Sequence, residues 1–283
     1  NAVMIIWTLA IILPFILLFM SSITDENTLV ANGYSFFPKK FSLASYSYII
    51  KSGGQILKAY GVSIGVTVVG TLLNVLLSAL MAYPLSVKNL PGRNVMMFFV
   101  FFTMLFNGGI VPSYIMWTGT FHIKDTIFAQ LLPNFLLSAW NVMMIRTYFT
   151  TSIPDGLYEA AEIDGASQFT IFWKIVLPLG KPILVTMGTF AGLAYWNDWT
   201  NGLYYIVKNT GLYNVQNLLN QMVQNIQFLT QSSNSNVTAA ASTIPATGIQ
   251  MAIAFVAILP IMLIFPSFQK YYAKGIALGA VKG

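Results

Sequence analysis

The residues best placed to do chemistry are four carboxylates in one short stretch, Asp155, Glu159, Glu162 and Asp164, set among Arg146, Lys174 and Lys181. They edge a short helix, on which Glu159 and Glu162 suit ionic contact with a basic partner surface. No base or nucleophile accompanies them. The chain has no cysteine and one histidine, His122, so thiolate chemistry is excluded and a histidine metal site lacks its second ligand. Neither a Gly-x-Ser-x-Gly elbow nor a His-Glu-x-x-His pair occurs. The nearest fragment to a phosphate loop, Gly180-Lys181, continues with Pro182 where a hydroxyl is required.

A second constellation surrounds Asp198, the one charged residue between Lys181 and Lys208. Tyr195, Trp196, Asn197 and Trp199 flank it. Two readings fit these residues. In one, the aromatics stack on sugar rings while carboxylate and amide hold hydroxyls; in the other, they form an interfacial belt with a solvated acid. Asn74, Asn134 and Asn141 are polar groups on apolar segments, able either to line a path or to bond helix to helix. Asn107, Gly108, Gly109 and Pro112 should break a helix, beside a pathway or at a hinge.

The elements that must carry these residues are membrane helices. Hydrophobic residues make up 56% of the chain and charged ones 8%, with a mean hydropathy of +0.70, and the apolar residues fall in long uncharged runs. Spans are expected at Ala2–Met20, Ala59–Leu85, Val95–Trp117, Ile127–Arg146, Pro182–Ile206 and Gly248–Phe268, six in all. The first reads as a retained span, since no basic region precedes it and no small-x-small site follows. The fold class is therefore all-α integral membrane, a single domain over residues 1–283. The net charge of +6 is scattered rather than gathered in a nucleic-acid patch. With cytoplasmic ends, Lys88, Arg93, Arg146, Lys174, Lys181, Lys270, Lys274 and Lys282 lie inside, and Lys39, Lys40, Lys51, Lys58, Lys124 and Lys208 outside, a slight positive-inside bias.

Around the acids, Ser152 can cap a helix, Pro154 suits its first turn, Asp155 favours the positive end of the dipole and Gly165 permits a left-handed exit. Leu157, Ala160, Ala161 and Asp164 then share a smooth, small face. Such a face lets another protein approach closely.

The pattern Glu159-Ala160-Ala161, three residues, Gly165, nine residues, Ile175, one residue, Leu177-Pro178 resembles the coupling loop (the EAA motif) of inner-membrane subunits of binding-protein-dependent ABC importers, with all seven fixed positions filled. The likeness extends to Phe106–Pro112, to Tyr195–Trp199 and to the ending Lys274–Gly283, and it points to the carbohydrate-uptake branch: maltose-permease-like subunits and Gram-positive oligosaccharide or polysaccharide permeases.

This resemblance implies six transmembrane helices of the type I ABC importer permease architecture. It implies a coupling loop over 150–178 that docks on an ATP-binding subunit, and an extracellular loop over 207–247. The expected partners are a second homologous permease, two ATPase subunits and an extracellular solute-binding protein, all at a bacterial plasma membrane with both termini cytoplasmic. No cofactor is expected in this chain, because the partner ATPases bind ATP and Mg. A permease for an amino acid, polyamine or phosphate is the nearest rival, since the loop is common to these. A secondary transporter would need coupling-ion residues and no ATPase, and the scarcity of membrane acids argues against it.

Overall fold

A computed structural model describes the backbone of residues 2–51, 53–231 and 246–280. Residues 232–245, within the expected extracellular loop, and the last three residues of the ending motif lie outside the described residues. Among the described residues, apart from a 3-10 turn at Thr210–Leu212, the helices in order are α1 (Ala2–Ser22), α2 (Glu26–Asn32), α3 (Ala44–Lys51), α4 (Gly53–Ser86), α5 (Arg93–Leu105), α6 (Ile110–Thr120), α7 (Phe128–Leu131), α8 (Ala139–Ser152), α9 (Asp155–Ile163), α10 (Gln168–Leu179), α11 (Lys181–Asn197), α12 (Thr200–Tyr205), α13 (Val215–Gln231) and α14 (Ala246–Ala280). Helix α13 lies within the stretch 207–247 expected as a loop.

Among the described residues two helices are long and apolar enough to cross a bilayer, Val3–Ser22 and Gly54–Ser86, and up to four spans result if each of two bent pairs counts as one. A shorter apolar helix runs over Thr247–Leu263. The bends have local causes. Between α5 and α6, which meet at 109°, Gly109 takes a φ of +86° and Asn107 Oδ1 accepts its N–H at 2.8 Å, so the expected break occurs. Between α10 and α11 the axes turn by 78° at Gly180, just before Pro182, whose missing N–H and ring disfavour a continuous helix.

The expected fourth span, Ile127–Arg146, is corrected. After α7 the chain is non-helical until Ala139, with Pro133 and a left-handed Asn134 at φ +68° in the gap. The fifth span also stops short, since α11 ends at Asn197 and the helix resumes only at Thr200.

The chain divides into two compact units. In the unit of Asn1–Val62 with Tyr213–Ile264, small apolar clusters hold the helices together, Ile49 with Ile249, Ala252 and Ile253, and Ala59 with Val215, Leu218 and Ala257. Glu26 caps α14 there, its carboxylate accepting the N–H groups of Thr247 and Gly248 at 2.8 Å each, where the helix dipole favours an anion. In the unit of Ser63–Leu212 with Phe265–Gly283, the core gathers Ala79, Ala82, Val142, Ile145, Phe149, Ile171, Phe172, Val176 and Met187. Helix α4 packs there on α11 through small residues, an added Cβ at Gly188 lying 3.3 Å from Val75 and one at Gly192 lying 3.3 Å from Thr71.

Candidate functional site

The acidic stretch forms its own helix, α9, but not with the cap expected. Ser152 is the last residue of α8, the buried Ile153 turns the chain, and Pro154 stands at the N-cap in extended conformation. The reason is that Ser152 is used up by α8, while Pro154 cannot donate an N–H and so loses nothing at a helix start. Asp155 occupies the first turn as expected.

The other end is closed by a Schellman motif. Ala166 N–H donates to Ala161 O at 2.9 Å and Gly165 N–H to Glu162 O at 3.0 Å, with Gly165 left-handed at φ +75°. Ser167 then starts α10, its Oγ accepting the N–H of Thr170 at 3.2 Å.

The four residues assigned to one face separate. Leu157, Ala160 and Asp164 are exposed, whereas Ala161 is 7% exposed and packs in the core cluster beside Ala166, the contact that usually accompanies a Schellman closure. Ala161 is therefore inward-facing, a correction to the shared docking face. Glu159 and Gly165 are also exposed, Ile175 and Leu177 are half-buried, and Pro178 is exposed.

Large apolar side chains stand on the surface beside the acids: Ile163 at 86% exposure, with Phe169 and Trp173 in edge-on contact on α10 at a centroid distance of 5.9 Å. Their i, i+4 spacing was visible in the sequence and marks them as neighbours on one helical face. The support beneath was not. Tyr83 Oη, near the end of α4, donates to Gln168 Oε1 at 2.5 Å, and Gln168 Nε2 donates to Glu162 Oε1 at 2.8 Å. Lys88 pairs with Asp155. Tyr83 and Gln168 are 85 residues apart, and no sequence pattern joins them.

The second constellation is built around the broken segment after α7. Three carbonyls in and beside it accept from side chains of other helices: Tyr195 Oη donates to Leu131 O at 2.9 Å, Asn201 Nδ2 to Pro133 O at 3.1 Å, alongside the Phe135 N–H, and Asn74 Nδ2 to Phe135 O at 2.6 Å. Asn141 Nδ2 donates to Asn74 Oδ1 at 2.7 Å, and Asn134 Nδ2 to Asn201 Oδ1 at 3.2 Å. Irregular backbone at membrane depth persists only where protein groups satisfy it. Asn201 escaped the sequence reading because nothing in its neighbours distinguishes a carbonyl-capturing amide from a solvated one.

Tyr195, Trp196 and Asp198 are buried within this unit. Asp198 Oδ1 accepts from Thr200 Oγ1 at 2.7 Å and from the N–H groups of Thr200 and Asn201, holding the start of α12. Asn107, Asn134, Asn197 and Trp199 are exposed. At the same unit's other irregular corner, Asp125 Oδ1 accepts three N–H groups, those of Val207 and Lys208 at 2.7 Å and Asn209 at 3.2 Å. The bond from Lys208 does most to hold the Asp125 carboxyl below its ordinary range.

Apolar helices with bilayer-length spans, polar groups spent on broken backbone and an acidic helix offered outward define an integral membrane protein of the transport-permease class. Residues 61–278 match the family described as "Binding-protein-dependent transport system inner membrane component", and the chain belongs to that family. It is 36% identical over 272 residues to "Protein LplC" of Bacillus subtilis (strain 168), covering 96% of this chain and 90% of that protein. To the "Polygalacturonan/rhamnogalacturonan transport system permease protein YtcP" of the same organism it is 36% identical over 280 residues, covering 99% and 96%. Among solved structures it resembles a chain of a bacterial ABC transporter involved in the import of the acidic polysaccharide alginate, with a TM-score of 0.80, 27% identity and coverage of 96% and 95%.

Proposed function

We propose that this chain is one of two permease subunits of an importer for sugars or oligosaccharides, driven by ATPase subunits that dock on α9 and fed by an extracellular solute-binding protein. The observation that carries the reading is the exposed surface of α9 and the start of α10, where Leu157, Ala160, Ile163 and Phe169 lie open among Glu159, Glu162 and Asp164. Apolar surface of that kind, rimmed by charge, is what a partner's groove buries.

The functional assignments follow from this reading. Glu159, Ala160 and Gly165 act at the docking surface, Ala161, Ile175, Leu177 and Pro178 shape the loop behind it, and α9 faces the cytoplasm. Asn107, Asn134, Asn197 and Trp199 are the pathway candidates with exposed side chains, while Tyr195, Asp198 and Asn141 hold the broken helices that frame the pathway and Trp196 is buried in the same unit. ATP and Mg are bound by the partners. The carbohydrate class rests on the relatives that carry polygalacturonan or alginate in their descriptions.

The test is co-purification with a candidate ATPase and partner permease from the same organism, then reconstitution with the binding protein. ATP-dependent uptake of a labelled oligogalacturonide or neutral oligosaccharide is expected. Uptake of amino acids, polyamines or phosphate in its place would overturn the substrate class.

A further inference from the structure

We infer that the segment from Tyr34 to Phe41 lies in the headgroup zone of the leaflet where α1 ends, as an aromatic and lysine anchor to the lipid surface. Its place follows from the backbone. Ser42 N–H donates to Ile23 O at 2.9 Å and Asp25 N–H to Lys40 O at 3.0 Å, forming an antiparallel bridge between Thr24 and Phe41. Bridged Cα atoms lie roughly 5 Å apart, and Thr24 stands two residues beyond the end of α1. The ends of the loop are thereby fixed at the level where the α1 span leaves the hydrocarbon. A second tie, Ser22 Oγ to Tyr46 Oη at 2.7 Å, holds α3 to the same level.

Its side chains fit that level. Phe37 is 85% exposed and Phe41 66%, with Tyr34 and Phe36 exposed beside them, in a segment that also carries the exposed Lys39, next to Lys40, whose ammonium pairs with Asp25 at 3.3 Å. A water-facing loop gains nothing from four aromatics in eight residues, whereas rings at the headgroup boundary bury apolar area and lysine stems reach for phosphate. Lipid is favoured over a protein partner by continuity with α1. No residue in the most apolar stretch of that helix is buried in the chain, so a lipid-facing surface leads directly into the loop.

The absence of native cysteine makes the test clean. Phe37→Cys removes a side chain with little packing of its own and accepts a fluorescent label. The importer complex, with partner cysteines removed, is placed in nanodiscs of mixed zwitterionic and anionic lipid carrying a headgroup-proximal nitroxide, with Gln221→Cys, exposed on the polar α13, as the water reference. Quenching by the lipid nitroxide is expected to be several-fold stronger at position 37 than at 221, and quenching by iodide several-fold weaker. Iodide quenching equal to that at 221 would overturn the inference by placing the loop in water. Protection from both quenchers would overturn it equally, by showing a protein partner over the loop. Neither readout depends on the transported solute, so the substrate reading stands or fails separately.

Discussion

Gly165 allows the coupling proposal to be tested with a graded perturbation. Its φ of +75° closes α9, and an added Cβ meets no atom within 4 Å. Replacement by alanine therefore carries no steric penalty, only the left-handed backbone cost of about 1–2 kcal/mol for an L residue. That energy disfavours the closed end of α9 by a factor of about 5–30. Asparagine tolerates this conformation better than alanine does, and a β-branched side chain worse. The expected order of receptor-stimulated ATP hydrolysis and of uptake is thus Gly, Asn, Ala, Val. The purified complex with its ATPase, receptor and partner permease is the system to measure, with ATPase retention scored on the same preparations. If Gly165→Asn proved worse than Gly165→Ala, or if Gly165→Val transported normally, the link between helix closure and coupling would be refuted.

Other outcomes follow from the same geometry. Ala160→Glu should leave the melting temperature of the permease unchanged and release or uncouple the ATPase, whereas Ala161→Leu, packed inward, should cost about 1–3 kcal/mol of fold stability by overpacking; equal melting temperatures for the two would contradict their opposite facing. Gly70→Ala places a Cβ 2.4 Å from the buried Tyr195 ring, so thermal stability should fall by a similar amount, about 1–3 kcal/mol, and an unchanged transition would mean that the ring moves freely. Asp125 has a lowered carboxyl pKa, so its grip on 207–209 is complete at neutral pH and is lost as pH drops below the ordinary carboxylate range towards the folded value; hydrogen exchange at those amides, corrected for intrinsic rate, should rise in acid for the native chain and already at neutral pH for Asp125→Asn.

How much of this was legible in the sequence depended on whether the signal was local. The end of α9 was readable because Gly165 is the sort of residue that a left-handed exit requires, and the break after Leu105 because Asn107, Gly108 and Gly109 supply turn chemistry in consecutive positions. The fourth span misled, since Ile127–Arg146 carries no charge before its last residue and its mean hydropathy hides the break at Pro133 and Asn134, which Tyr195, Asn201 and Asn74 repair from other helices. Ala160 and Ala161 were indistinguishable as residue types, and only the packing of Ala161 beside Ala166 separates them. Tyr83 was invisible because its partner is 85 positions away.

Why a tyrosine at that distance matters follows from what supports α9. An exposed helix of nine residues is below the length at which a helix holds itself in water, so its stability and angle must come from contacts. Three stand out: Ala161 in the core, the exposed Lys88 to Asp155 pair and the Tyr83–Gln168–Glu162 chain. The ion pair is solvent-screened and weak. The hydrogen-bonded chain starts from a buried ring on α4, and the same helix carries Asn74, Gly70 and the contacts of Thr71 and Val75 with α11. A push on α9 that shifted Gln168 would thus be felt by the helix that holds the carbonyl of Phe135 and the Tyr195 ring. Tyr83→Phe keeps the ring and loses one hydrogen bond, about 0.5–1.5 kcal/mol. The packing route through Ala161 remains in that variant, so the difference between Tyr83→Phe and the native chain in receptor-stimulated hydrolysis isolates what the polar route transmits.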